Sequence, residues 1–256
     1  MTDAKQAASG NGSIRLPRVI GHRGAAATAP ENTLAGFRQA ATSGATWVEF
    51  DVKLTRDGHP VLLHDRRLER TTDGSGEVAA TTLKDLRRLD AGGWFGPAFK
   101  DEPIPTFQEA LAACLELGLG VNVEIKPCPG REVETARVVV ETLLDAWPAT
   151  APAPLVSSFA SRCLAVARGV APDLSRGYLS GPLPRRWRDH LAEHGCVTLH
   201  LDQRRLRRRQ LAEITAAGAV LVAYTVNDAV RARALVAAGV TSIITDRVAE
   251  VVAALA

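Results

Sequence analysis

The run Trp47-Val48-Glu49-Phe50-Asp51-Val52 places two carboxylates two residues apart among apolar neighbours. Side chains alternate across a strand, so Val48, Phe50 and Val52 share one face and Glu49 and Asp51 the other. In Val121-Asn122-Val123-Glu124-Ile125-Lys126 the same alternation groups Asn122, Glu124 and Lys126 opposite three apolar residues. If the apolar faces meet helices, three carboxylates and an ammonium point into one enclosed space. Carboxylates crowded there repel, and one is pushed towards protonation. A hard divalent cation removes that cost and takes oxygen ligands, which suits Mg²⁺ or Ca²⁺ and not Zn²⁺. The competing reading is a buried structural ion-pair network.

His22 and Arg23 end one apolar run, and His64 and Asp65 end another. Two histidines at the same end of neighbouring strands could act as an acid/base pair, because imidazole titrates near neutral pH. Arg23 offers a planar fork of donors that matches phosphate. Proton shuttles, a cation site, a guanidinium and an ammonium together suit cleavage at phosphorus. No glycine-rich phosphate loop or dinucleotide fingerprint is present.

The elements that must position these groups alternate. Strand patterns at Val19–His22, Trp47–Leu54, Val61–His64, Val121–Lys126, Leu155–Phe159, Gly177–Leu179, Val197–Leu201, Val220–Val226 and Ser242–Thr245 are mostly separated by helical ones. The helical patterns are Thr33–Ser43, Phe107–Leu117, Glu132–Ala146, Ser161–Val170, Pro184–His194, Leu206–Ala217, Asp228–Ala238 and Val248–Leu255. Gly44, Gly118, Gly195, Gly218 and Gly239 follow five of these, where a left-handed C-terminal cap is wanted. Such alternation gives a parallel sheet. About eight units in ~250 residues predict an α/β fold of the closed (β/α)₈ kind, with an open doubly wound sheet as the alternative. Residues 66–106 break the rhythm. Long irregular segments are usually functional, so this one is expected to form a small inserted cap over the mouth, between the early strands and the third βα unit.

Composition limits the partners. The chain has 256 residues, 46% of them hydrophobic, and a net charge of +3, which implies neither a nucleic-acid nor a membrane partner. The run Arg204–Arg209 reads as a solvated helix face. Residues 1–17 are polar and small and read as a disordered leader without a secretory signal. No span suggests a stable membrane anchor. Four scattered cysteines with no Cys-x-x-Cys pair suit a reducing cytoplasm.

Taken in order, Gly21-His22-Arg23-Gly24, Pro30-Glu31-Asn32-Thr33, Glu49-x-Asp51, His64-Asp65, Glu124-Ile125-Lys126-Pro127, Thr225-Val226-Asn227 and Ile243-Ile244-Thr245-Asp246 resemble the bacterial glycerophosphodiester phosphodiesterases, of the small cytosolic type. The resemblance implies a TIM barrel in which Glu49, Asp51 and Glu124 bind the metal, His22 and His64 are acid and base, and Arg23 and Lys126 hold the phosphate. It also implies a small-molecule glycerophosphodiester as partner, for a monomer or homodimer. Glu31 would support His22 or Arg23. His200, inward on a later strand, is a candidate for the alcohol side of the pocket, beside a structural role. Tyr224 stands where the family often has tryptophan, which keeps an aromatic wall and adds a hydroxyl. Analogy with related phospholipases would make His22 the base and His64 the acid. A lysophospholipase-D-like activity and a non-catalytic binder of phosphorylated polyols are the competing functions.

Overall fold

A computed structural model describes residues 14–256. Nine strands form one sheet: β1 (Val19–His22), β2 (Trp47–Leu54), β3 (Pro60–Leu62), β4 (Gly120–Ile125), β5 (Leu155–Ser158), β6 (Ser175–Ser180), β7 (Thr198–Asp202), β8 (Val220–Tyr224) and β9 (Ser242–Thr245). Eight run parallel, and β1 pairs with both β2 and β9, which closes the barrel. The helices are α1 (Leu34–Thr42), α2 (Leu83–Leu86), α3 (Phe107–Glu116), α4 (Glu132–Ala146), α5 (Ser161–Val170), α6 (Trp187–His194), α7 (Arg208–Ala216), α8 (Ala229–Ala237) and α9 (Val248–Leu255). The fold is therefore the expected (β/α)₈ barrel. Strand β3 is not a stave: it turns back antiparallel on β2 and returns the chain to the level of Asp51, where Leu63 N donates to the Asp51 carbonyl.

Alternation decides what faces where. Val48, Phe50 and Val52 pack outward with Phe37 of α1 and Phe107 of α3, and the Phe50 ring lies 5.2 Å from Phe37 and 6.1 Å from Phe107. Val121, Val123 and Ile125 join the same core, so their neighbours Asn122 and Glu124 must point inward. The lower interior is apolar, built from Ile20, Trp47, Leu155, Val222 and Ile244. Ile14 and Leu16 pack against that plug, and Ser242 Oγ donates to the Pro17 carbonyl at 2.5 Å. Residues 14–17 thus belong to the barrel and not to a leader; residues 1–13 of the expected leader lie outside the described residues. The five glycines expected to cap helices all have positive φ, from 59° to 96°. Among the described residues, no helix is long and apolar enough to cross a membrane.

The insertion at residues 66–106 has its own small core of Leu68, Val78, Leu86, Ala91 and Ile104 beneath Val61 and Leu63. Side-chain ties at several points hold it to the barrel. Arg70 grips Glu31, Arg87 grips Glu109 at the capping box of α3, and Glu102 accepts from Ala35 N at the start of α1. None of residues 66–106 lines the cavity described below. The segment flanks the site and does not wall it.

Candidate active site

The reactive groups meet at the C-terminal ends of the strands, where barrel enzymes place them. A cavity of about 390 Å³ is lined by His22, Arg23, Glu49, His64, Glu124 and Lys126, with Asn122, Ser157, Phe159, Arg204, Tyr224 and Asn227 among its other walls. Strand register sets the carboxylates side by side: Asp51 pairs with Glu124, Glu49 with Asn122, and His22 with Glu49. Carboxylate oxygens of Glu49, Asp51 and Glu124 lie within 4.8 Å of one another, and all three residues are buried.

The backbone around this cluster is specialised. The turn after β1 puts Arg23 at φ 50° and Gly24 at φ 94°. A side chain at Gly24 would meet the Gly36 backbone at 2.6 Å, so the turn seats directly on α1. Left-handed backbone at a non-glycine residue is uncommon and concentrates at functional sites. Here it aims Arg23 back across the mouth, with Arg23 N 3.3 Å from Glu49 Oε2. Asn32, at φ 56°, donates to Asp51 Oδ2 at 2.9 Å and accepts from Asp51 N. Thr33 beside it caps α1 by accepting from Gly36 N. The Pro-Glu-Asn-Thr run is thus a device for holding Asp51.

Both histidines are backed by carboxylates. His22 Nδ1 is 2.6 Å from Asp246 Oδ1, and Asn227 steadies Asp246 through its side-chain amide. His64 Nδ1 is 2.6 Å from Asp65 Oδ1, and Arg70 bridges Asp65 and Glu31. A carboxylate on Nδ1 fixes the tautomer and leaves Nε2 as the free nitrogen.

Charge is uneven among the carboxylates. Burial would raise Asp51, but Lys126 at 2.9 Å and Arg23 at 3.3 Å outweigh it and hold Asp51 far below the usual carboxylate range. Burial, and then the Asp51 charge, push Glu49 well up and Glu124 up to about 7. Lys126 Nζ lies 3.1 Å from Glu124 Oε1, close enough for an ion pair but off the line of a hydrogen bond, so that buried oxygen stays unpartnered. Burial lowers His64. An unpartnered oxygen within a three-carboxylate set fits a hard divalent cation, which Glu49, Asp51 and Glu124 would hold.

This cluster predicts a pH effect in the metal-free protein. With Glu124 raised from 4.5 to about 7, the folded state binds more protons than the unfolded one across that window. Stability from this group is therefore lost as pH rises from 4.5 to about 7. Asp51 has the opposite sign and acts only below its ordinary value of 3.8. The buried His200 and the lowered His64 act with the opposite sign in this window, so the effect is read as a difference: the denaturant midpoint of wild type relative to Glu124→Gln should fall with pH in EDTA, and that fall should flatten with Mg²⁺ added.

Three residues take the narrower of the parts expected of them. His200 is fully buried, hydrogen-bonded to Thr198 at 2.8 Å and held by burial at about 3, and it does not line the cavity. It fills the interior beneath Gly177, whose missing side chain makes room for its ring. Glu31 spends both oxygens on Arg23 and Arg70 and positions Arg23, with no contact to His22. Tyr224 does form a wall, edge-on to Phe159 at 6.1 Å, but its hydroxyl donates to the Ser180 carbonyl and is not free.

Several residues of the site escaped the strand-face reasoning. Asp246 and Asp65 as partners of the histidines, and Asn32 as the holder of Asp51, follow from contacts that strand alternation does not reveal. Arg204, within the basic run, lines the cavity while paired with Asp202.

Fold and site together define a (β/α)₈-barrel enzyme that gathers its reactive groups at the mouth from both ends of the chain. The match to the glycerophosphoryl diester phosphodiesterase family spans residues 22–250, and the chain belongs to that family. It is 35% identical over 234 residues to YhdW of Bacillus subtilis (strain 168), which carries the same family name, covering 89% of this chain and 93% of that one. An Oleispira antarctica phosphodiesterase in complex with the product sn-glycerol-3-phosphate has a similar structure, with a TM-score of 0.91 and 41% identity over 94% of this chain and 97% of that one. A glycerophosphodiester phosphodiesterase from Agrobacterium tumefaciens str. C58 gives a TM-score of 0.74 at 26% identity, over 93% and 100%.

Proposed function

We propose that this chain hydrolyses glycerophosphodiesters such as glycerophosphocholine or glycerophosphoethanolamine to glycerol 3-phosphate and a free alcohol. The observation that carries this reading is that two carboxylate-backed imidazoles open on the same cavity as Arg23, Lys126 and the carboxylate cluster. The product bound by the Oleispira relative supports the glycerol phosphate half.

Each group then has a task. Arg23 is held through Nη1 by Glu31, which leaves Nη2 for a phosphoryl oxygen. Lys126 brings a second positive charge to the same layer. A Mg²⁺ or Ca²⁺ ion on Glu49, Asp51 and Glu124 would neutralise charge on the phosphoryl oxygens. One imidazole takes a proton from the nucleophile, which is water or the substrate's own 2-hydroxyl. The other gives a proton to the departing alcohol. Phe159 and Tyr224 form an apolar wall for the carbon skeleton.

The test is coupled detection of glycerol 3-phosphate over glycerophosphodiesters and lysophospholipids with either cation supplied. Release from glycerophosphocholine or glycerophosphoethanolamine is expected. Release from none of the panel would overturn the proposal, and release from lysophospholipids alone would move the activity to the lysophospholipase-D type.

A further inference from the structure

The face of α6 that packs against β6 carries a group that the barrel chemistry does not use. His190-Leu191-Ala192-Glu193-His194 puts two imidazoles one helical turn apart, with a carboxylate beside the second. Positions i, i+3 and i+4 share a helix face. Ligand atoms of His190, Glu193 and His194 all lie within 4.8 Å of one another. His194 is only 5% exposed. The hydrogen bonds recorded in this turn run through the main chain: Arg168 donates to the carbonyls of Ala192 and Glu193, and Arg176 to that of His194. The three side chains are left without hydrogen-bonded partners among the described residues.

The rings are also held in place. Tyr178, from the outer face of β6, stacks parallel to both imidazoles, at 8° and 5.1 Å to His190 and at 3° and 6.4 Å to His194. A neighbour that locks ligand rotamers in advance is what a site needs to bind without reorganisation. His194 is the last residue of α6, where the helix dipole favours positive charge.

We propose that His190, Glu193 and His194 form a second metal site, on the outside of the barrel, for a borderline divalent cation of the zinc class. Two ring nitrogens and one carboxylate oxygen match Zn²⁺. The three carboxylates inside the barrel match harder ions. Histidines at i and i+4 on one helix face are a proven zinc spacing, and His-x-x-Glu-His is one of its variants. The site lies near the C-terminal end of α6, beside the start of β6 and so at the far end of the barrel from the cavity. A cation there stabilises the folded chain and takes no part in turnover.

The experiment uses the untagged full chain, stripped with EDTA and returned to excess Mg²⁺, then titrated calorimetrically with Zn²⁺. Wild type should bind one Zn²⁺ that His190→Ala weakens by at least about tenfold, since loss of a mere supporting group costs that much. Zn²⁺ should raise the unfolding temperature of wild type but not of His190→Ala, while Mg²⁺-supported turnover is equal in both. Glu193 is exposed, and Glu193→Gln should weaken Zn²⁺ in the same direction without touching the fold. Zn²⁺ uptake that is absent in wild type, or unchanged in His190→Ala and Glu193→Gln, overturns the proposal. That comparison reads only the α6 site, whatever Zn²⁺ does inside the barrel.

Discussion

His64→Ala and His22→Ala should each lower kcat on glycerophosphocholine by about 10²–10⁴-fold, the usual cost of removing a proton-transfer group. The loss should appear in kcat more than in KM, because Arg23 and Lys126 remain to bind the phosphate. Neither histidine is part of an apolar core cluster, so unfolding midpoints should change little. Asp246→Asn and Asp65→Asn should do less, on the order of 10- to 100-fold, the range seen when a carboxylate that orients an imidazole is lost. Steady-state kinetics with saturating cation decide the matter. Full turnover in both alanine variants would remove the acid/base assignment.

Glu124→Gln separates a metal site from a structural ion-pair network, because the two predict opposite stability effects. As a metal ligand, Glu124 supports a cation worth several kcal/mol of charge stabilisation, so its loss should reduce turnover by at least about 10²-fold. In EDTA the same change should hold or raise stability above pH 7, since it removes a buried carboxyl that burial has pushed up to about 7. As a network member, its removal would leave Lys126 with less negative charge and destabilise the chain. Denaturant unfolding in EDTA beside turnover in Mg²⁺ reads both. Lower stability with activity lost in proportion would favour the network.

What the sequence made legible follows from periodicity. Trp47–Leu54 and Glu132–Ala146 were readable to the residue, because strict alternation and a 3.6-residue repeat run their full length. Alternation also placed Glu49, Asp51 and Glu124, since their apolar neighbours had to face helices. What stayed hidden depends on contacts between distant segments. His22 meets Asp246 across 224 positions only because β1 closes on β9. Ile14 and Leu16 look like a tail until the barrel bottom supplies an apolar surface. His200 and Glu31 share a face or a motif with the reactive groups, yet depth in the barrel and competing guanidiniums turn them to structural work. Tyr224 kept its wall but lost its hydroxyl to a backbone carbonyl that no local pattern announces.

The central claim is that a cation on the buried carboxylates works with two imidazoles on a glycerophosphodiester. Its most direct test is glycerol 3-phosphate release from glycerophosphocholine by EDTA-stripped protein as Mg²⁺ or Ca²⁺ is added back. The account predicts negligible release without cation and saturable recovery with one of the two. Undiminished release in EDTA would contradict it.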